Sequence, residues 1–252
     1  MVIQYASDLH LEFRQNNEFM NLHPMQPKGD VLLLAGDIVP FYIMNKKADF
    51  FNYLSDHFKI TYWIPGNHEY YHFDISERCG TLHEKIKSNV FLVNNTSIIN
   101  DNIQFIFSTL WSQISTANER LIEKDVSDFQ FIKYKQHRFS SAHFNQLHKE
   151  SVAFLKQELT RERAHKKVVV THHVPTYFHY PEKYKGNILN EAFAVELHDF
   201  IETNGPDHWI FGHHHFNTPD FKMGNTEMRT NQLGYVKYNE HLLFNSCKTF
   251  EI

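Results

Sequence analysis

Five short segments carry side chains able to hold metal ions or move protons: Ser7-Asp8-Leu9-His10, Gly36-Asp37-Ile38, Gly66-Asn67-His68-Glu69, Thr171-His172-His173 and Gly212-His213-His214-His215. Each follows directly on an apolar run. Carboxylate oxygen, imidazole nitrogen and amide oxygen form a mixed hard and borderline donor set. Such a set suits Mn, Fe, Zn or Co and fits poorly with a thiolate-type structural zinc site. The candidates from these segments are too many for one tetrahedral ion. Two ions roughly 3.5–4 Å apart, sharing a carboxylate, would use them naturally. Two divalent ions bring four positive charges, of which Asp8, Asp37 and a bridging hydroxide would cancel three. The remainder favours an anionic substrate such as a phosphate ester.

The apolar runs are Val2–Tyr5, Asp30–Ala35, Ile60–Ile64, Val90–Val93, Lys167–Val170 and His208–Phe211. Continuous apolar runs of this length fit strands buried on both faces. Helical patterns lie between them. Over 45–58, Ala48, Phe51 and Leu54–Phe58 share one stripe, and over 141–163 Phe144, Leu147, Val152, Leu155 and Leu159 recur at three-to-four spacing. The polar stretch 75–88 reads as a helical crossover. Strand–helix alternation predicts an α/β layer fold with right-handed crossovers. Ser97–Leu110, with a turn at Asp101-Asn102, reads as a hairpin, and Thr226–Ile252 as further β structure with turns at Gly234 and Asn239. A second sheet packed on the first, with helices outside, follows.

In such folds the loops at the carboxyl ends of the strands converge on one crevice. Asp8 and His10 are two residues apart, as are His213 and His215. In an extended chain, residues so spaced project to the same side, so each pair can reach one cluster. Gly36, Gly66 and Gly212 stand just before the ligands, where close backbone approach is needed.

Composition narrows the function classes. The 252 residues carry 25 Lys+Arg against 29 Asp+Glu, a formal charge of −4, with 15% aromatics. That balance excludes general disorder and disfavours a strongly basic nucleic-acid binder. The length suits one continuous domain, 1–252, with no repeat or linker. No run approaches the ~18 apolar residues of a membrane span, and the first residues do not read as a signal peptide, so a cytoplasmic enzyme is the expectation. Cys79 and Cys247 imply no disulfide framework and read as buried free thiols.

The ordered set D-x-H, G-D, G-N-H-E, H and G-H-x-H, spanning residues 8 to 215, resembles the calcineurin-like metallophosphoesterase superfamily. The resemblance implies a four-layer α/β/β/α sandwich, with two mixed sheets flanked by helices, and a dinuclear metal-dependent hydrolase of phosphate esters. It also implies roles. Asp8, His10 and His215 hold one ion, Asp37 bridges, and Asn67, His172 and His213 complete the second. His68 is the catalytic side chain, bonding the phosphoryl oxygen or protonating the leaving group. The ions are two divalent or trivalent metals, with Mn the first choice. A hydroxide bridging them would attack phosphorus in line.

The chain departs from the protein-phosphatase branch, which reads G-D-x-V-D-R-G at the second motif. Pro40 stands where that branch has the acid that orients His68, and Phe41 where it has the phosphate-binding arginine. A phosphoprotein phosphatase is therefore disfavoured, and the partner of His68 is left open. Residues 174–190 are rich in aromatics and read as a substrate cap or an anchored surface loop. Tyr177, Phe178, Tyr180 and Tyr184 of that segment, with Tyr70 and Tyr71 after the GNHE motif and His173 after His172, are candidate substrate contacts. Glu69 reads as structural, bonded to backbone, and Trp111 as core. His214 reads as backing a ligand or facing solvent, and the other histidines, His72 and His165 among them, as surface or packing. The substrate expected is a small or medium phosphate ester. Alternatives are a phosphodiesterase or nuclease, which would want a basic groove such as Lys133–Arg138 or Arg161–Lys167, and a noncatalytic scaffold.

Overall fold

The computed structural model describes residues 1–161 and 166–252. His165 and part of the basic stretch Arg161–Lys167 therefore lie outside the described residues. The strands are β1 (Val2–Ala6), β2 (Val31–Ala35), β3 (Ile60–Ile64), β4 (Leu82–Lys87), β5 (Val90–Asn94), β6 (Thr96–Asn100), β7 (Ile103–Ser108), β8 (Lys133–Tyr134), β9 (His137–Arg138), β10 (Lys166–Thr171), β11 (His208–Ile210), β12 (Phe221–Met223), β13 (Thr226–Arg229) and β14 (Thr249–Glu251). One sheet runs β14-β1-β2-β3-β5-β4 and the other β12-β13-β11-β10-β7-β6, while β8 and β9 pair apart. Each sheet has four parallel central strands and an antiparallel strand on either edge.

Period-two alternation divides the apolar strand residues between two layers of core. Val31 and Leu33 of β2, Tyr62 and Ile64 of β3, and Phe105 and Phe107 of β7 meet between the sheets. Leu32, Leu34 and Trp63 face the other way, onto the helix Ala48–His57 through Phe51 and Leu54. On the outer face of the second sheet Ile106, Val169 and Trp209 pack against Leu155 and Leu159 of the helix Ser141–Thr160 and Ile201 of the helix His198–Asn204. The result is an α/β/β/α arrangement of two mixed sheets flanked by helices.

Two local expectations of secondary structure are corrected. The stretch 75–88 is a short 3₁₀ turn at Ile75–Glu77 followed by β4, an edge strand antiparallel to β5. Its alternating charged residues suit an edge, where side chains on one face stay in water. The C-terminal Thr226–Ile252 is strand only at β13 and β14, with 3₁₀ turns and a left-handed Asn239 between. A further helix, Arg14–Leu22, buries Asn16 and Met20. The Asp101-Asn102 turn does close the β6–β7 hairpin, with both residues at positive φ, as a two-residue hairpin requires. Cys79 and Cys247 are free, but each is half-buried rather than buried.

Candidate metal centre

β1, β2, β3, β10 and β11 all run parallel within their sheets and end at the same edge of the sandwich. The five segments leave from those ends. Asp8, His10, Asp37, His213 and His215 have φ of 55°, 47°, 56°, 78° and 49°. The two-residue spacings therefore work through left-handed turns, not through extended chain as the alternation argument supposed. Such backbone is costly for non-glycine residues, and strain of this kind clusters at functional sites. Glycines make the crowding possible. A Cβ on Gly36 would collide with the His172 ring, one on Gly66 with Asp37 and His172, and one on Gly212 with Asp8 at 2.6 Å.

Among the described residues, a donor group of His10, Glu12 and His68 stands beside two groups that share Asp37. Asp8, His10, Asp37 and His215 make one, and Asp37, His172 and His213 the other. In the first, His10 Nε2 lies 2.9 Å from His215 Nε2 and 3.6 Å from Asp37 Oδ2, and His215 Nε2 lies 3.4 Å from Asp8 Oδ1. His10 Nδ1 donates to Glu12 Oε1 at 3.1 Å, and His215 Nδ1 to Glu240 Oε2 at 2.8 Å. In the second, His172 Nδ1 donates to the Ala35 carbonyl at 2.9 Å across the two sheets. His172 Nε2 then faces Asn67 Oδ1 at 3.1 Å, His213 Nδ1 at 3.0 Å and Asp37 Oδ2 at 3.4 Å.

This arrangement fits a metal. With their Nδ1 atoms donating elsewhere, His10, His215 and His172 present Nε2 lone pairs to other acceptors at hydrogen-bond distance. Lone pairs so placed repel unless a proton or a metal cation lies among them. The protonation preferences show how strongly parts of this cluster favour positive charge. Burial opposes charge on His215, yet its hydrogen bonds to Asp8 and Glu240 outweigh it and raise the imidazole to about 10. Burial likewise opposes charge on His172, and the Asp37 carboxylate overrides it, to about 9. Asp37 itself is held well below the usual carboxylate range: burial works against it, and His172 and His68 prevail. A second support is Glu69. Its carboxylate accepts from the backbone N–H of Asp37, Ile38 and Gly66 and from the Trp63 indole, so it fixes the loop carrying Asp37. Burial, then Asp37, pushes it up to about 8.

His68 stands beside the donors. It stacks on Tyr71 with ring centroids 4.0 Å apart, and its Nδ1 donates to Glu12 Oε1 at 2.9 Å. Burial would keep it neutral, but Asp37 and Glu12 raise its pKa above the ordinary value. Glu12 is thus the partner that the missing acid at Pro40 left open, and it holds His10 as well. The signal was present: Asp8, His10 and Glu12 continue one two-residue spacing. Asp128 was missed with no comparable signal. It accepts from Asn67 Nδ2 at 2.7 Å and from the Tyr71 hydroxyl at 2.9 Å, turning the Asn67 oxygen toward His172.

A cleft of about 700 Å³ opens over these groups. Tyr180, Tyr184, Leu189 and Asn190 of the segment 174–190 line it, as do Tyr71 and His72. Among the described residues, Tyr70, Tyr177, Phe178 and His173 do not line it. Tyr70 is buried and donates to the Arg78 carbonyl, and Tyr177 donates to the Ala194 carbonyl. His173 is buried against Trp111 and Phe144, where burial, then His172, lowers it to about 3. His214 turns away from the donors to Gln232. Phe41 is buried against Trp63 and Tyr70 and plays the part of core, not of a phosphate ligand.

Comparison with known proteins decides the family. Residues 1–217 match the calcineurin-like phosphoesterase family. The chain belongs to that family. A relative, uncharacterized protein L509 of Acanthamoeba polyphaga mimivirus, is 30% identical over 93% of this chain and 91% of its own length. Among solved structures, the phosphopantetheinyl hydrolase of Mycobacterium tuberculosis superposes with a TM-score of 0.72 at 15% identity, covering 99% of this chain and 95% of that one. A dimetal phosphatase of Danio rerio gives 0.51 at 11% identity, with 92% and 87% covered. These likenesses establish the fold. Family and donor cluster together support a metal-dependent phosphoesterase with phosphate-ester substrates. Among the described residues no helix is long and apolar enough to cross a membrane.

Proposed function

We propose that the protein is a dinuclear metallophosphoesterase hydrolysing a small or medium phosphate ester. The observation that carries this reading is the sharing of Asp37 by two donor groups, with His68 held alongside. Asp8, His10, His215 and Asp37 would hold one ion, and Asp37, Asn67, His172 and His213 the other, with Mn the first choice. When bound, such ions lower the pKa of water toward neutrality and neutralise charge on phosphoryl oxygens. The remaining chemistry belongs to the chain. Glu12 accepts from His68 Nδ1, so a protonated His68 keeps an N–H at Nε2 for the phosphoryl or leaving-group oxygen. The Tyr235 hydroxyl, 3.5 Å from that Nε2, marks the direction it faces. Tyr71, Tyr180 and Tyr184 are the proposed substrate contacts that line the cleft. Tyr70, Tyr177 and His173 could act on substrate only through other residues.

The test is hydrolysis of p-nitrophenyl phosphate and bis(p-nitrophenyl) phosphate with added Mn²⁺, alongside metal content. Turnover of one of them with about two ions per chain is expected. No turnover of either, with metal content near zero, would overturn the reading. The ratio of the two rates assigns monoester or diester preference.

A further inference from the structure

The far wall of the cleft has a composition that the metal chemistry does not require. From His68 the rings of Tyr71, Phe131, His72 and Tyr42 follow one another at 4.0, 5.4, 5.0 and 5.3 Å between centroids. Phe131 and Tyr42 remain 39% and 52% exposed, and, both lining the cleft, they place apolar surface where a ligand could cover it. Phe193 stacks on His213 on the other side, at 4.7 Å. Among the described residues lining the cleft there is no lysine or arginine, and the acids there are Glu12, Asp37, Asp125, Asp128 and Glu240. Asp125 is exposed, at the end of the helix Glu119–Asp125. The Lys183 ammonium, whose charge reaches Glu240 and His214, rests over the rings of Tyr184 and Phe216 instead.

We infer that the leaving-group side of the substrate is an uncharged, ring-bearing alcohol seated between the Tyr71–Phe131–Tyr42 face and Phe193. This deepens the proposed function and rests on it for the identity of the reacting group. The reacting phosphate is drawn by the donor cluster. Further along, the described residues that line the cleft offer no Lys or Arg and one exposed acid, Asp125, so a second phosphate or a carboxylate there meets a like charge and no fixed cation, which opposes binding. A ring finds flat partners there, in the offset or edge-on geometry aromatic pairs prefer.

Non-hydrolysable phosphonates test this apart from turnover. The Mn²⁺-loaded full chain is titrated calorimetrically with methylphosphonate, phenylphosphonate and 4-carboxyphenylphosphonate. Phenylphosphonate is expected to bind about tenfold tighter than methylphosphonate, the worth of one well-stacked ring. The carboxylated form is expected to lose at least that gain. Phe131→Ala and Tyr42→Ala should each narrow the phenyl advantage, and Asp125→Lys should recover the carboxylated ligand. Equal binding of methyl and phenyl forms, or undiminished binding of the carboxylated form, would overturn the inference. Phenyl phosphate is assayed in parallel. If it is not hydrolysed while the binding order holds, the phosphoesterase reading fails and the cleft preference stands.

Discussion

The two donor groups around Asp37 are built differently. In the first, His10 and His215 each donate Nδ1–H to a carboxylate, Glu12 and Glu240. In the second, His172 donates to a backbone carbonyl, and Asn67 is turned by Asp128 rather than by a charge on the imidazoles. A carboxylate behind an imidazole raises its basicity more than a neutral carbonyl does. The first group should therefore hold its ion more tightly and the second release it earlier. Glu12 adds a further asymmetry, because the same oxygen that supports His10 also orients His68. The first group is thereby tied to His68 as well, whereas the second is tied to the fold, through Ala35 on the opposite sheet.

The largest effect expected is from Asp37→Ala, since that carboxylate belongs to both groups. Metal analysis by plasma mass spectrometry should show both ions lost, with turnover abolished. Retention of one full equivalent would show that the groups do not share it. Next comes His68→Ala, which should keep the metal content and lower turnover by about 10²–10⁴-fold, the scale of a lost acid–base group. An unchanged rate would give this side chain another job. Glu12→Gln and Asp128→Asn then separate the two sides. Each should weaken metal affinity or activity by about 10–100-fold, the usual cost of a lost supporting partner. In competition with a chelator, Glu12→Gln should loosen the tighter ion and Asp128→Asn the weaker. If both variants loosen the same ion, the asymmetry is wrong. Smallest is Tyr70→Phe, outside both groups. It removes one hydrogen bond, worth about 1 kcal/mol of stability, and thermal unfolding should register it while turnover does not change.

Much of this was legible beforehand, for identifiable reasons. Runs such as Val31–Ala35 and Ile60–Ile64 are strands buried on both faces, and such strands advertise themselves by unbroken hydrophobicity. The segment after β3 shows where the legibility stopped. Asn67, His68, Glu69 and Tyr70 are consecutive, yet Asn67 and His68 reach the donors, Glu69 props the Asp37 loop and Tyr70 turns into the core. A 3₁₀ turn over His68–Tyr70 distributes them, and no pattern of residue types foretells that distribution. Likewise 75–88 became an edge strand because β5 offered a free edge, a fact of the sheet and not of the segment.

By itself, the order of residue types determined which atoms could bind a metal and that they would sit at strand ends, because chemistry and hydrophobic periodicity are local properties. The tertiary structure decided the rest. The packing of one sheet on the other brought His172 against Ala35, and the neighbouring strand ends of the first sheet made Glu12 serve two histidines and set a ring-lined wall beside them. These are contacts between residues as many as 137 positions apart, and distance along the chain carries no record of which distant surfaces will meet.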